Sequence, residues 1–203
     1  MEEPRIRVAT AADVPAIEEI VNQAYRHYVA RIGKPPGPMI EDYAARVSEG
    51  VVWVLEDRAA TVAVIVLKPE PDYLLLDNIA VSPARQGLGL GRRLLAFAED
   101  EALRRGYREI RLYTHQTMVE NQRLYTSIGY EETGCGTEAG YDRVFMRKQL
   151  LRCFPKGIDG SLGRAQRRAL RWRSIRSPMV SSRLPASFRF PRHARLHRLG
   201  DDE

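Results

Sequence analysis

Gly87, Gly89 and Gly91, interleaved with Leu88 and Leu90, form the densest glycine turn in the chain. An apolar run, residues 73–81, precedes the turn, and a stretch with helical spacing follows it from residue 91. A backbone without Cβ atoms at that point can take positive φ and lie close to a ligand. The free amides of the first helical turn and the positive end of the helix dipole would then face an anion, for which a pyrophosphate is the usual candidate. Arg85, Arg92 and Arg93 flank the turn with positive charge. Two nucleotide-binding patterns are excluded. No Lys-Ser or Lys-Thr pair follows a glycine, as a G-x-x-x-x-G-K-[ST] loop requires, and the spacing is G-x-G-x-G in mid-chain instead of G-x-G-x-x-G after a first strand. A glycine-rich loop without a ligand stays open as the bland alternative. A second constellation is Asn121 with Tyr125: four residues apart, they share one face of a helix and can point together into a cleft. The alternative there is a surface helix with Leu124 and Ile128 in the core and Tyr125 as a half-buried ring.

The elements that must position these residues follow from hydrophobic period and turn chemistry. Residues 5–9 alternate as a half-buried strand, and Thr10 with Asp13 reads as a helix cap. Ile17, Ile20, Val21, Ala24 and Tyr28 then recur at helical spacing and predict one helix over 11–30. Pro35, Pro36 and Pro38 stop it in a loop over 31–39, and a short helix is expected over 40–48. The β-branched runs 51–56 and 61–68 predict a hairpin, followed by a central strand over 73–81. After the glycine turn come a helix ended by Gly106, a strand over 109–114, a helix over 119–128 and a final hairpin of 130–135 with 141–148. The order is β α α β β β α β α β β.

Composition divides the chain of 203 residues. Residues 152–203 hold 13 of the 32 Lys and Arg but 4 of the 26 Asp and Glu, a net charge of +9, which leaves −3 on the first 151. The overall +6 therefore describes neither part. The expectation is a folded domain over 1–150 and a basic, Arg/Pro/Ser-rich tail over 151–203, disordered apart from one weak basic helix over 161–172. The tail is read as a solvated extension or reading-frame accident, with an electrostatic arm for nucleic acid or an anchor on anionic lipid as the functional alternatives. Cys135 and Cys153 are too few for a disulfide framework or a four-ligand metal site, so no metal is expected and a cytoplasmic setting fits. No apolar run reaches membrane-span length, and acidic residues stand near the N-terminus where a signal peptide has basic ones.

Gln86-x-x-Gly89-x-Gly91 resembles the acyl-coenzyme A signature, Q/R-x-x-G-x-G/A, of the GCN5-related N-acetyltransferase (GNAT) superfamily. Residues 121–130, NQRLYTSIGY, resemble its second conserved region, N-x-x-x-Y-x-x-x-G-F/Y, and the element order is similar to the acetyltransferase fold. The resemblance covers residues 5–150 and is particularly close to bacterial members of unassigned substrate that share a YRHYVARIGKPPGPM-like segment. It implies an α/β (α+β) fold: a mixed central sheet, flanked by helices, whose fourth and fifth strands splay apart around acetyl-CoA as co-substrate.

On that resemblance, acetyl-CoA lies along Ile79, Ala80 and Val81, with its pyrophosphate at Gln86, Gly87, Leu88, Gly89, Leu90, Gly91 and Arg92 and with Asn121 orienting it. Tyr125 would protonate the departing thiolate, a phenol of pKa about 10 facing a thiol of about 8.5. Asp77 is the first candidate for general base, because strand alternation puts it on the face of Ile79 and Val81; His115 and Glu120 are the others. Tyr25, Tyr28, Arg31, Met39 and His115 are the expected substrate contacts, Arg31 suiting a carboxylate and the rings a cationic or flat acceptor. The expected reaction is direct attack, in a ternary complex, of a small-molecule primary amine on acetyl-CoA. Acetylation of a protein N-terminus or lysine is the alternative, and a non-catalytic CoA-binding or nucleic-acid-associated protein the second. A homodimer is among the partners that the resemblance allows.

Overall fold

The computed structural model describes residues 4–150. Expectations for the basic tail, its weak helix and Cys153 lie outside the described residues. Seven strands form one mixed sheet in the order β1-β2-β3-β4-β5-β7-β6: β1 Arg5–Val8, β2 Val52–Asp57, β3 Ala60–Pro69, β4 Leu74–Val81, β5 Glu109–His115, β6 Glu131–Glu138 and β7 Tyr141–Gln149. All neighbours are antiparallel except β4 and β5. Five α-helices flank the sheet: α1 Val14–Tyr25, α2 Val29–Ile32, α3 Tyr43–Ser48, α4 Leu90–Arg104 and α5 Val119–Ser127. Among the described residues, no helix is long and apolar enough to cross a membrane.

The strand alternation read from the sequence divides the core into two layers. Leu55, Ile65, Leu67, Leu74, Leu76, Ile110 and Leu112 pack with Leu94, Leu95 and Ala98 of α4, and Tyr125 and Tyr130 belong to the same layer. Val52, Val54, Val64, Val66 and Ala80 face the other way, against Ile17, Ile20 and Val21 of α1 and against Tyr43. Burying a side chain of this size contributes about 1.5–3 kcal/mol. The two layers account for why β2, β3 and β4 admit so few polar residues.

Two local predictions change. The single helix expected over 11–30 is a 3-10 turn at Ala11–Asp13, then α1, a 3-10 turn at Arg26–Tyr28 and the one-turn α2, which Gly33 ends at φ +81°. No proline or glycine marks the break after Tyr25. It falls where the Tyr25 hydroxyl donates to Asn78 of β4, a tertiary bond that local propensity does not encode. The helix expected over 40–48 is likewise a 3-10 turn, Gly37–Ile40, followed by α3, with Asp42 as N-cap accepting from the Ala45 amide at 2.9 Å.

One buried side-chain polar atom has no hydrogen-bond partner among the described residues: the hydroxyl of Tyr130, a residue 2% exposed. A buried hydroxyl left unpaired costs about 1–3 kcal/mol. Tyr130→Phe is therefore expected to leave stability unchanged or raise it by about 1 kcal/mol, read as the midpoint of thermal unfolding. A clear drop would mean that the hydroxyl is satisfied by an ordered water.

Candidate active site

β4 and β5 pair only from Leu74 to Leu76 against Ile110 to Leu112, and beyond that point they separate. The backbone of β4 past the split is turned toward the gap at residues 79 and 81. The Ser82 amide donates to the Val62 carbonyl at 2.9 Å, so by ladder alternation Ile79 and Val81 turn their backbone groups away from β3, and their carbonyls accept from the Tyr25 hydroxyl at 3.3 Å and from Gln86 Nε2 at 3.1 Å. Carbonyl and amide of one strand residue share an edge, which puts the amides of Ile79 and Val81 on the same open side.

A cleft of about 600 Å³ lies along this edge. Ile79, Ala80 and Val81 form one wall, and Asn121 and Tyr125 of α5 form the opposite one. At one end the lining is Gln86, Gly87, Gly89, Leu90, Gly91 and Arg92; at the other it is Tyr25, His27, Tyr28 and Glu120. Gly87 and Gly89 stand at φ +78° and +77°, where a side chain is strained, and Gly89 is the N-cap of α4. The helix amides thus open into the cleft beside Arg92. Gly91 differs: a Cβ there would meet only Val81 Cγ2 at 3.9 Å, so neither its own backbone nor its neighbours demand glycine. Ala24, His27, Arg85, Leu95 and Leu124 also line the cleft, and of these sequence reading gave Ala24, Leu95 and Leu124 no part in the site.

The Tyr125 hydroxyl makes no hydrogen bond to any described residue, although the ring is 5% exposed and packs 5.9 Å from Tyr130. Burial pushes the Tyr125 phenol well above the usual tyrosine range, and Tyr28 adds to the shift. It is a weaker acid than a free tyrosine and stays protonated through neutral pH. Asn121 donates from Nδ2 to Met118 Sδ at 3.6 Å, which fixes its amide at the head of α5.

Asp77 is not on the face that alternation assigns. Val66 pairs with Asn78 and Leu67 with Leu76, so Asp77 is the extra residue of a β-bulge, and the bulge moves it off the face of Ile79 and Val81. Its carboxylate meets Lys68 Nζ at 2.5 Å and accepts the Tyr113 hydroxyl, a bond that crosses from β4 to β5 at the first residues past the split. Asp77 does not line the cleft, but closes its vertex from the other side of the sheet. Asn78, which sequence reading missed, is 5% exposed and binds Tyr25 at 2.7 Å and Tyr43 at 2.8 Å, and Tyr43 donates to the Pro38 carbonyl at 3.0 Å. The only sequence signal for it was a polar residue inside an apolar strand.

Four other predicted residues lie away from the cleft lining. Leu88 is 64% exposed and points outward from the turn. Met39 packs into the core layer beneath α1. His115 bonds Thr117 at 2.9 Å, and burial lowers its pKa and keeps the ring neutral near pH 7. Arg31 presents one guanidinium nitrogen to both carboxylate oxygens of Glu120, at 2.8 and 3.1 Å, and lies over the Tyr28 ring. Its charge is already matched within the chain.

The proline loop is fastened down. Lys34 Nζ donates to the Gly140 carbonyl at 2.7 Å and sits 3.8 Å from the Tyr141 ring centre, while the Tyr141 hydroxyl donates to the Pro35 carbonyl at 2.7 Å. With the Arg31–Glu120 pair, the segment between α1 and α3 is tied both to α5 and to the tip of the β6–β7 hairpin.

A separated pair of parallel strands, with a glycine turn and a helix N-terminus opening into the gap, defines an acetyltransferase-type architecture. Residues 48–132 match the family model described as an acetyltransferase (GNAT) domain. The chain is 32% identical over 96 residues to the Xenopus tropicalis protein named Probable N-acetyltransferase 14, a match covering 46% of this chain and 47% of that protein. It spans less than half the length of the curated relatives it matches. Among solved structures, the fold is similar to the ribosomal-protein-S18-alanine N-acetyltransferase of Escherichia coli, with a TM-score of 0.61 and 23% identity over 77% of this chain and 99% of that one. It is also similar to the Salmonella typhimurium protein yncA, determined with its cofactor acetyl-CoA, with a TM-score of 0.58 and 26% identity over 74% and 96% of the two chains. Residues 48–132 are thus similar to GNAT acetyltransferase domains, and the fold of the described residues is similar to that of solved acetyltransferases.

Proposed function

We propose that this protein is an acetyl-CoA-dependent N-acetyltransferase whose acceptor is a small-molecule primary amine. The observation that carries the reading is the continuity of the open β4 edge with the glycine turn and the head of α4 in one cleft. The residues present fit acetyl-CoA. Backbone groups at 79 and 81 suit an extended amide-bearing arm, and the helix amides with Arg92 suit a pyrophosphate. Gly91, which the protein's own packing does not require, leaves room for close approach.

Acetyl-CoA supplies an acetyl group activated as a thioester. The chain's part is to hold donors and protons in place. The amides of Ile79 and Val81 face the gap and can support negative charge on an oxygen there, an effect worth about 2.7–4 kcal/mol where a single donor has been removed. Tyr125 holds a proton at its hydroxyl for the sulfur that leaves, and Asp77 lies on the acceptor side to take the proton the amine loses. In balance, a C–N bond forms, a C–S bond breaks, and one proton passes from nitrogen to sulfur by way of these groups and solvent. A lysine-like amine is neutral in only about one part in 2,500 at pH 7, so a carboxylate at the vertex is useful. The fastened proline loop supports a small acceptor over a protein chain, because a peptide would need the groove it covers.

Calorimetric titration of acetyl-CoA into the full chain tests the cofactor. Micromolar binding is expected, weakened about tenfold by Gly89→Val, since a side chain at that φ costs about 1–2 kcal/mol. Binding unchanged in a folded Gly89→Val protein, or no binding by the wild type, would remove the assignment of this turn.

A further inference from the structure

The acceptor side of the vertex carries two fixed, opposite charges on one phenol. Tyr113 donates its hydroxyl to Asp77, and the guanidinium of Arg143, from β7, lies 3.8 Å from the centre of the same ring. Arg143 is paired across the sheet with His115, so its side chain leaves the strand on the face of Tyr113 and His115, away from the layer that holds Val144 and Met146. One of its nitrogens, Nη1, meets Glu138 at 2.8 Å, and the side chain keeps 10% of its surface open. A guanidinium has five donors in a planar fork, so a single contact to Glu138 leaves most of the fork unspent. Stacking on Tyr113 holds the fork in one orientation before any ligand arrives.

We infer that the acceptor is an amine bearing a carboxylate a few bonds from its nitrogen, an amino acid being the simplest case. Its carboxylate sits on Arg143 and its nitrogen at Asp77. This rests on the acetyltransferase reading and deepens it. Asp77, held by Lys68 and by the Tyr113 hydroxyl, takes the proton that this nitrogen loses. The positive charge that the acceptor's acid group needs falls to Arg143, because it stands on the phenol that bonds Asp77, whereas Arg31 lies over Tyr28 with 44% of its side chain exposed. Arg143 is a specificity-determining residue in this scheme, and Tyr113 is the positioning residue that spaces it from Asp77.

The test is an acceptor comparison using thiol release from acetyl-CoA: a panel of L-amino acids against the corresponding L-amino-acid amides, with acetyl-CoA affinity measured alongside. For at least one pair, kcat/KM for the acid should exceed that for the amide by at least about tenfold, the scale of one charge-assisted pair. Arg143→Gln should abolish that preference through KM while acetyl-CoA affinity holds, and Arg143→Lys should restore part of it. Amides used as well as acids by the wild type, or no acid turned over while neutral amines are, would overturn the proposal without touching the acetyltransferase reading. An acid preference that survives in a folded Arg143→Gln protein would overturn it as well. Loss of acetyl-CoA binding by the wild type would instead overturn the reading beneath it.

Discussion

Tyr125→Phe is expected to lower kcat by about a hundredfold, the lower range for loss of a positioned general acid, while acetyl-CoA affinity stays within a factor of about two. The substitution keeps the ring, so its packing against Tyr130 in the layer beneath α4 and α5 is preserved. Only the hydroxyl goes, and no described residue depends on it for a hydrogen bond. Its phenol pKa is raised, chiefly by burial, so the acid form persists as pH rises past the usual tyrosine range. The pH profile of kcat should therefore show no alkaline fall belonging to this group below about pH 10, because deprotonation is displaced upward. Full turnover by Tyr125→Phe would make Tyr125 a packing residue only.

Asp13→Ala carries the largest expected loss of stability. Asp13 is 7% exposed and is held by Arg7 through two bonds, at 2.7 and 2.8 Å, and by the Thr10 amide and hydroxyl at 2.7 and 2.8 Å. It joins β1 to the start of α1, and removing it leaves a capping amide and a partly buried guanidinium short of an acceptor. Breaking one side of a buried pair costs about 3–5 kcal/mol; with Arg7 partly exposed and also bound to Glu56, about 3 kcal/mol is expected. That is a fall of about 6–12 °C in thermal midpoint for a chain of this size. The Asp13 carboxyl is held well below the usual carboxylate range, first by its bonds to Arg7 and then by those to Thr10, against the opposing effect of burial. Its contribution is thus fully present above the unfolded carboxyl pKa of about 3.9 and is lost as pH falls through the lower folded value. Wild type and Asp13→Ala should converge in stability on acidification below about pH 4. A constant gap down to pH 2 would assign the loss to packing.

What could be read in advance was local. The glycine turn announces itself because its requirement is a backbone angle, and Gly87 and Gly89 adopt that angle. The Thr10–Asp13 cap is legible for the same reason, since four consecutive residues encode it. What stayed hidden depends on partners far along the chain. Asp77 was assigned to the face of Ile79 and Val81 by alternation, and the alternation fails because β3 shifts register between Val66 and Leu67. Arg31 reads as a free cation until Glu120, 89 residues later, is folded against it. Asn78 and Arg143 carry no motif; their significance lies in what stands opposite, Tyr25 and Tyr43 for one and Tyr113 for the other.

The one-residue bulge in β4 has a consequence for how the strand tolerates change. Up to Leu76 its side chains are buried in packing, and from Ile79 onward the strand lines the cleft as well, with Ile79 and Val81 still packed on the layer beneath α4 and Ala80 on the layer beneath α1. A change of volume at Ile79, Ala80 or Val81 alters both what the cleft holds and how the sheet packs, whereas Leu74, Leu75 and Leu76 answer to packing alone, so the bulge marks where packing ceases to be the sole constraint on the strand.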